Sequence, residues 1–287
     1  MNNILVTGSE GQLGSELRAI AFRFTQYNLF FTNRLTLDIT DYNAVKAFTE
    51  TNKINVFINC AAYTSVNSAE SQSKLADAVN HLAVANLAKI AKQNNIKFIH
   101  ISTDYVFDGN SQRPYNENDT PNPQSVYGQT KFDGELAMQR INPTNSIIIR
   151  TSWLYSKFGN NFVKKIIAIS KIKDNINVVS DQIGSPTSAT DLAEAILTIL
   201  PKIKNRQVEV FHYSNAGLCS WYDFALEIFR IKDIKTLINA VKSCEFPTKV
   251  KRPIYSVLDK RKIKTSFDLE IPCWKESLSL ALESIII

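Results

Sequence analysis

The sequence predicts an α/β protein: a doubly wound parallel sheet through residue 155, then a smaller C-terminal portion over residues 156–287. Two observations lead there. Short apolar runs alternate with helical patterns through the first half of the chain. The first of those runs ends in a glycine-rich turn that opens a helix.

The strand runs are NILVTG, NLFFT, NVFINCAA, KFIHIST and SIIIRTS. They are nearly continuous in apolar character, as strands covered on both faces should be. Between them lie GQLGSELRAIAFRF, YNAVKAFTET, LADAVNHLAVANLAKIAKQN and YGQTKFDGELAMQRI. In the third of these, Ala76, Val79, Ala83, Leu87 and Ile90 share one helical face. Beyond residue 155 the alternation loosens. Helices are expected at NFVKKIIAISK, ATDLAEAILTIL and SWYDFALEIFRI, short strands at INVVS and VEVFHYS, and a last amphipathic helix at CWKESLSLALESI. Part of this later chain is expected to return to the first domain.

Composition narrows the class. The 287 residues are 44% hydrophobic and 21% charged, which describes a soluble globular protein. The net charge of +6 is spread along the chain, and no basic run suggests a nucleic-acid tail. Cys60, Cys219, Cys244 and Cys273 form no CxxC pair and have no histidine at ligand spacing. Free thiols in a reducing compartment follow, and no metal is expected. MNNILVTGSEG starts directly with a strand-like run and lacks a signal-peptide pattern. No apolar run approaches the roughly 20 residues of a membrane span. A cytoplasmic protein is expected, with neither nucleic acid nor membrane as partner.

The glycine turn carries chemistry. In VTGSEGQLG, Gly8 permits a tight turn, Gly11 a close approach of backbone to a pyrophosphate, and Gly14 the packing of helix on strand. The helix start, with Gln12 and Leu13, offers free N–H groups and a positive dipole end. The pattern predicts a Rossmann-type dinucleotide-binding domain over residues 1–155. Near the end of the second strand the chain reads TNR, not the usual acid. Arg34 either meets a 2′-phosphate, favouring NADPH over NADH, or is a surface arginine. Beyond it, Asp41 can cap the next helix, and Asp38 with Ile39 faces the adenine side.

SVYGQTK places Tyr127 and Lys131 one helical turn apart. A phenol is a poor acid–base group at neutral pH, and an ammonium beside it lowers its pKa. HISTDYVFDG supplies Ser102 and Thr103 at the carboxyl end of the fourth strand, the edge where such sheets bind ligands.

In this order, the glycine turn, NCAAYT, STDYVFDG and Y-x-x-x-K resemble the extended short-chain dehydrogenase/reductase family. The resemblance implies that Thr103 polarises a carbonyl, Tyr127 donates the proton and Lys131 activates it. It also implies that Ala61, Ala62 and Tyr63 lie beside the cofactor, and that Asn80 is the helical asparagine of a proton relay. LDITD, AAYTSVNSAE, VYGQTKFDGE, RTSWLY, NNFV, DQIGSPT and KRPIYSVLD are similar to the dTDP-4-dehydrorhamnose reductase branch of that family. That likeness implies reduction of a dTDP-sugar C4 ketone by NADPH or NADH, in a possible homodimer. It makes Thr103, Asp104, Tyr127 and Trp153 substrate contacts. Arg252 is a candidate fork for the diphosphate. Core packing for Trp153, a turn cap for Asp104 and a salt bridge for Arg252 stay open as alternatives.

Two positions depart from the family pattern. Asn67 replaces an Asp and should cap a helix equally well, and Tyr255 replaces an Asn. Two rival functions resemble this family. One is a non-catalytic, dinucleotide-binding regulatory subunit of methionine adenosyltransferase. The other is an epimerase or dehydratase of another nucleotide sugar. Tyr105 stands where a dehydratase would carry Glu.

Overall fold

The computed structural model describes residues 2–246 and 248–285. Its first half contains β1 (Asn2–Thr7), α1 (Gln12–Ile20), β2 (Tyr27–Phe31), α2 (Tyr42–Thr51), β3 (Val56–Asn59), the short helices α3 (Val66–Ala69) and α4 (Ser73–Asp77), α5 (Ala83–Gln93), β4 (Lys97–Thr103), α6 (Val126–Ile141) and β5 (Ile147–Thr151). The second half adds β6 (Leu154–Tyr155), α7 (Phe162–Ser170), β7 (Asn175–Val179), β8 (Ile183–Gly184), β9 (Thr187–Ser188), α8 (Ala189–Ile199), β10 (Glu209–His212), β11 (Cys219–Ser220), α9 (Trp221–Lys232), β12 (Leu237–Val241), α10 (Arg261–Phe267) and α11 (Trp274–Ser284).

Six strands pair in the order β10-β5-β4-β3-β1-β2, all parallel. Alternate residues of each strand enter opposite layers. Ile4, Val6, Ile58, Ile99, Ile149 and Phe211 pack with Leu17 of α1 and Ile196 of α8. Leu5, Phe57, Phe98 and Ile148 pack on the other side with Val45 of α2, Leu87 of α5 and Met138 of α6. Both faces are covered, which is why the strands read as unbroken apolar runs.

VEVFHYS does more than its short run suggests. It supplies β10, the sixth strand of the main sheet, beside β5. The second half also builds a separate cluster from α7, α9 and α11, around Val163, Phe224, Ile228, Trp274 and Leu278. There β7 pairs with β12, a strand the sequence pattern did not announce. None of the β12 residues is fully buried, so no apolar alternation marks it.

The helix expected over residues 75–94 is interrupted. Ala78–Leu82 form a π-turn between α4 and α5. Asp41 caps α2 as expected, accepting from Ala44 N at 3.0 Å. Asn67 caps nothing: it lies inside α3, whose N-cap is Ser65. No helix among the described residues is long and apolar enough to cross a membrane.

Candidate active site

The strand order turns at β1, which has β2 on one side and β3 on the other. Ligands bind at such switch points, outside the carboxyl ends of the strands. A cleft of about 820 Å³ opens there. Its walls come from the glycine turn, residues 33–40, the loop after β3, the end of β4, the start of α6 and residues 151–154.

Gly8 adopts φ +65°, and a Cβ on it would stand 2.6 Å from Ala61 N. The turn is therefore pressed against the end of β3, and only glycine fits. A Cβ on Gly14 would stand 2.4 Å from Gly8 O, so α1 packs directly on the turn. Gly11 is the N-cap of α1 and provides no side-chain cap, which leaves the first N–H groups of the helix to the cleft. Leu13 lines the cleft. Gln12 spends its amide on the second half of the chain: it donates to Leu154 O at 3.3 Å and accepts from Asn161 Nδ2 at 2.9 Å.

Arg34, Asp38 and Ile39 line the far end of the cleft. Asp38 has a structural duty that its sequence context did not reveal. It accepts from Thr40 N at 2.9 Å and Thr40 Oγ1 at 2.8 Å. Against the upward push of partial burial, these bonds and the Arg34 charge hold its carboxyl below the usual range. The Arg34 guanidinium is exposed, with Nε 3.7 Å from Asp38 Oδ2.

Thr103, Tyr127 and Lys131 line one stretch of this cleft. Ser125 accepts from Gly128 N at 3.1 Å and so starts α6 with Tyr127 in its first turn. The Tyr105 ring meets Tyr127 edge-on at 5.5 Å. Thr103 Oγ1 donates to Asp104 Oδ1 at 3.1 Å and accepts from Tyr105 N at 3.2 Å. Burial drives the Tyr127 phenol well above its ordinary pKa, and the Thr103 hydroxyl is the main group opposing that rise.

The expected lowering of this phenol by Lys131 is not what the structure shows. Lys131 Nζ donates to Ile101 O at 2.6 Å and faces His100 Nε2 at 3.4 Å. Its charge is therefore spent beneath the cleft floor. Burial lowers the Lys131 pKa to about 8, with Glu135 and Cys60 opposing the fall.

The remaining expected residues separate into groups. Ala61, Ala62 and Tyr63 line the cleft; Asn80 does not. Asn80 sits in the π-turn, where it accepts from Tyr63 N at 2.8 Å and donates to Tyr63 O at 3.1 Å and Thr130 Oγ1 at 3.2 Å. It fixes the Tyr63 loop against α6. Ser102 borders the cleft, but its hydroxyl is committed to the buried Glu135 carboxylate.

Asp104 lines the cleft, and burial lifts its carboxyl to about 6. The Ser256 and Thr103 hydroxyls oppose that rise, and Oδ2 is buried without a well-formed hydrogen bond among the described residues. Trp153 combines two roles. It borders the cleft and stacks on Trp221 at 3.6 Å between ring centroids. Arg252 is not part of the lining. It stands close enough to Tyr105 for its charge to oppose the rise of that phenol, and its Nε is buried without a partner. Tyr255 packs into a small cluster with Val106, Phe107, Tyr115 and Leu258.

A buried polar layer under the cleft escaped the sequence reading. Asn59, His100 and Arg150 each interrupt an apolar strand run. Arg150 pairs with Glu135 at 2.6 Å, both almost fully buried. Asn59 within NVFINCAA, His100 within KFIHIST and Arg150 within SIIIRTS were the available signal.

Comparison with known proteins agrees along the whole chain. Residues 1–286 match the family model described as RmlD substrate binding domain. A dTDP-4-dehydrorhamnose reductase of Aggregatibacter actinomycetemcomitans is 38% identical, over 97% of this chain and 97% of that protein. The crystal structure of a dTDP-4-dehydrorhamnose reductase from Clostridium acetobutylicum ATCC 824 has a TM-score of 0.91 at 42% identity, covering 98% of each chain. That of Bacillus anthracis, solved in complex with NADP, has a TM-score of 0.93 at 35% identity, covering 99% of each chain.

Proposed function

The chain belongs to the dTDP-4-dehydrorhamnose reductase family, and on that premise we propose that it reduces the C4 ketone of dTDP-4-dehydro-L-rhamnose to dTDP-L-rhamnose. The observation that carries this reading is one cleft in which Thr103, Tyr127 and Lys131 meet the glycine turn. The chain is an NAD(P)H-dependent oxidoreductase.

The residues fit a dinucleotide. The close-packed turn at Gly8, the uncapped start of α1 and the loop Ala61–Tyr63 would hold its phosphates and the adjoining ribose. When bound, the reduced nicotinamide supplies a hydride to the ketone carbon. Everything else falls to the chain. Burial keeps the Tyr127 phenol protonated at neutral pH, so it is a proton source for the ketone oxygen. Thr103 Oγ, beside it, stabilises negative charge growing on that oxygen when its proton turns from Asp104 Oδ1 toward the ketone. The phenolate left on Tyr127 recovers a proton from solvent before the next turnover.

Two orphaned polar atoms support a sugar-nucleotide ligand. Asp104 Oδ2 suits a sugar hydroxyl, and Arg252 Nε suits a diphosphate oxygen. The exposed Arg34 at the adenine end favours NADPH, because a 2′-phosphate is a stronger partner for it than Asp38 at 3.7 Å.

The deciding experiment follows loss of nicotinamide absorbance with NADPH and the dTDP-4-keto-6-deoxy sugar, generated in place by a 3,5-epimerase. Epimerase-dependent oxidation is expected, falling by roughly 10²–10⁴ in Tyr127→Phe. Equal rates in both proteins would remove Tyr127 as the acid. A folded, dinucleotide-binding wild type without turnover would favour the regulatory-subunit reading or another nucleotide sugar.

A further inference from the structure

Beneath Lys131, buried polar side chains cross three strands. Thr7 and Asn59 end β1 and β3, and His100 lies within β4. Thr7, Asn59, His100 and Lys131 are each at most 1% exposed. Strand register pairs Thr7 with Asn59 and Asn59 with His100, so their side chains stand side by side on one face of the sheet. Thr7 Oγ1 donates to Asn59 Oδ1 at 2.6 Å. Asn59 Nδ2 lies 3.1 Å from His100 Nδ1, and His100 Nε2 lies 3.4 Å from Lys131 Nζ.

Counting hydrogens restricts what this row can do. A neutral imidazole has one N–H and one lone pair. Burial, reinforced by the Lys131 charge, holds His100 well below its ordinary pKa and so keeps the ring neutral. With Asn59 Nδ2 donating to Nδ1, the ring proton sits on Nε2 and points at Lys131. Only an uncharged amine has a lone pair to accept it. If the Asn59 amide turns over, Oδ1 accepts from Nδ1–H and Nδ2 donates to the Thr7 hydroxyl. The Nε2 lone pair then accepts from an ammonium. The heavy atoms occupy the same places in both arrangements.

We propose that Thr7, Asn59 and His100 form a two-state hydrogen-bond chain that follows the charge of Lys131, with His100 the positioning residue that acts through it. Passing from the ammonium state to the amine state, Lys131 loses one proton to the cleft. The ring proton is exchanged from Nδ1 to Nε2, and the Asn59 amide and Thr7 hydroxyl rotate. No other bond forms or breaks. The chain gives Lys131 a buried partner in either state.

Other ionisable groups lie around Lys131. Cys60, after β3, is held protonated by burial up to about 12. Tyr127 on α6 is likewise held protonated. Glu135 on α6 is paired with Arg150 of β5. Lys131 itself titrates at about 8. The importance of this chain for turnover rests on the catalytic reading of Lys131 above, but its two states do not.

The test is nitrogen-15 imidazole spectroscopy of the full chain from about pH 6 to about pH 10, a range that brackets the lysine transition. His100→Gln identifies the His100 signals among the three histidines. The expected result is an Nδ1–H ring at the acid end and an Nε2–H ring at the basic end, with a midpoint near 8, where Lys131 titrates. Asn59→Asp, whose carboxylate only accepts, should hold the ring as Nδ1–H throughout. A wild-type ring that keeps one tautomer across the range overturns the proposal. So does a folded Asn59→Asp protein whose ring still switches. The spectra need no substrate, so a tautomer switch in a protein that fails the reductase assay leaves this inference standing and removes only the reading of function.

Discussion

At neutral pH, the buried charge of Asp104 works against stability. Burial lifts its carboxyl to about 6, above the value of a free carboxylate. The folded chain therefore binds this proton more tightly than the unfolded chain does. The resulting stabilisation is complete below about pH 4 and is lost as pH rises through about 6. Asp104→Asn carries no charge and should be more stable than the parent at pH 7 by on the order of 1–3 kcal/mol. The difference should fade below about pH 4. Urea midpoints at the two pH values check this, and an equal difference at both would show that charge at Asp104 is not the cause. Arg34 offers a separate residue-scale test. Its Nε is 3.7 Å from Asp38, an exposed and weak pairing that a 2′-phosphate can replace. Arg34→Ala should raise KM for NADPH by roughly tenfold, the equivalent of one lost charged contact, and leave KM for NADH nearly unchanged. Equal effects on both cofactors would return Arg34 to the surface.

Among the elements, β8 shows how one small residue sets the position of a large one. A Cβ on Gly184 would stand 2.5 Å from the Trp153 indole. Trp153 cannot retreat freely, because Trp221 stacks on its other side and its own backbone holds φ +49°. Gly184→Ala should cost about 1–3 kcal/mol by overpacking, read from the denaturant midpoint, and shift tryptophan fluorescence as the stack opens. An unchanged midpoint and spectrum would mean the ring has room that the geometry denies. Elements like this explain what the sequence could tell. The main strands, the glycine turn and helix α6 were legible because their signals are local: apolar runs, glycine spacing and helical periodicity. Thr103 closes a strand and Tyr127 sits in the first turn of a helix, so their approach to one sheet edge could be anticipated. The direction of the Lys131 side chain could not, because its partners on β4 are about thirty residues away in sequence. The π-turn at Asn80 keeps a helical pattern of apolar residues and so looked like unbroken helix. Gly184 and Trp153 are far apart in sequence, and only packing shows that the position of one depends on the other.

Across the whole molecule, the two halves of the chain share one sheet. β10 pairs with β5, and α8 packs beside α1 over the layer that contains Ile4, Val6 and Ile149. Gln12 adds a polar tie from the glycine turn to Leu154 and Asn161. A fragment of residues 1–155 keeps α1 but loses α8 and α10 from one sheet face, and should lack fixed tertiary packing. Near-ultraviolet circular dichroism would detect this, and a fragment with native-like signal and cooperative melting would contradict it. The late position of β10 also matters while the protein is being made. The ribosome releases the N-terminal half first, and Ile147, Ile148 and Ile149 then form an open strand edge until residue 212 has emerged. At typical elongation rates that exposure lasts roughly 3–12 s. During that interval three consecutive isoleucines offer their backbone to any neighbouring nascent chain. The yield of folded protein in a crowded cell is then governed by the speed of translation between β5 and β10, and a ribosomal pause in that stretch is more damaging than one after it.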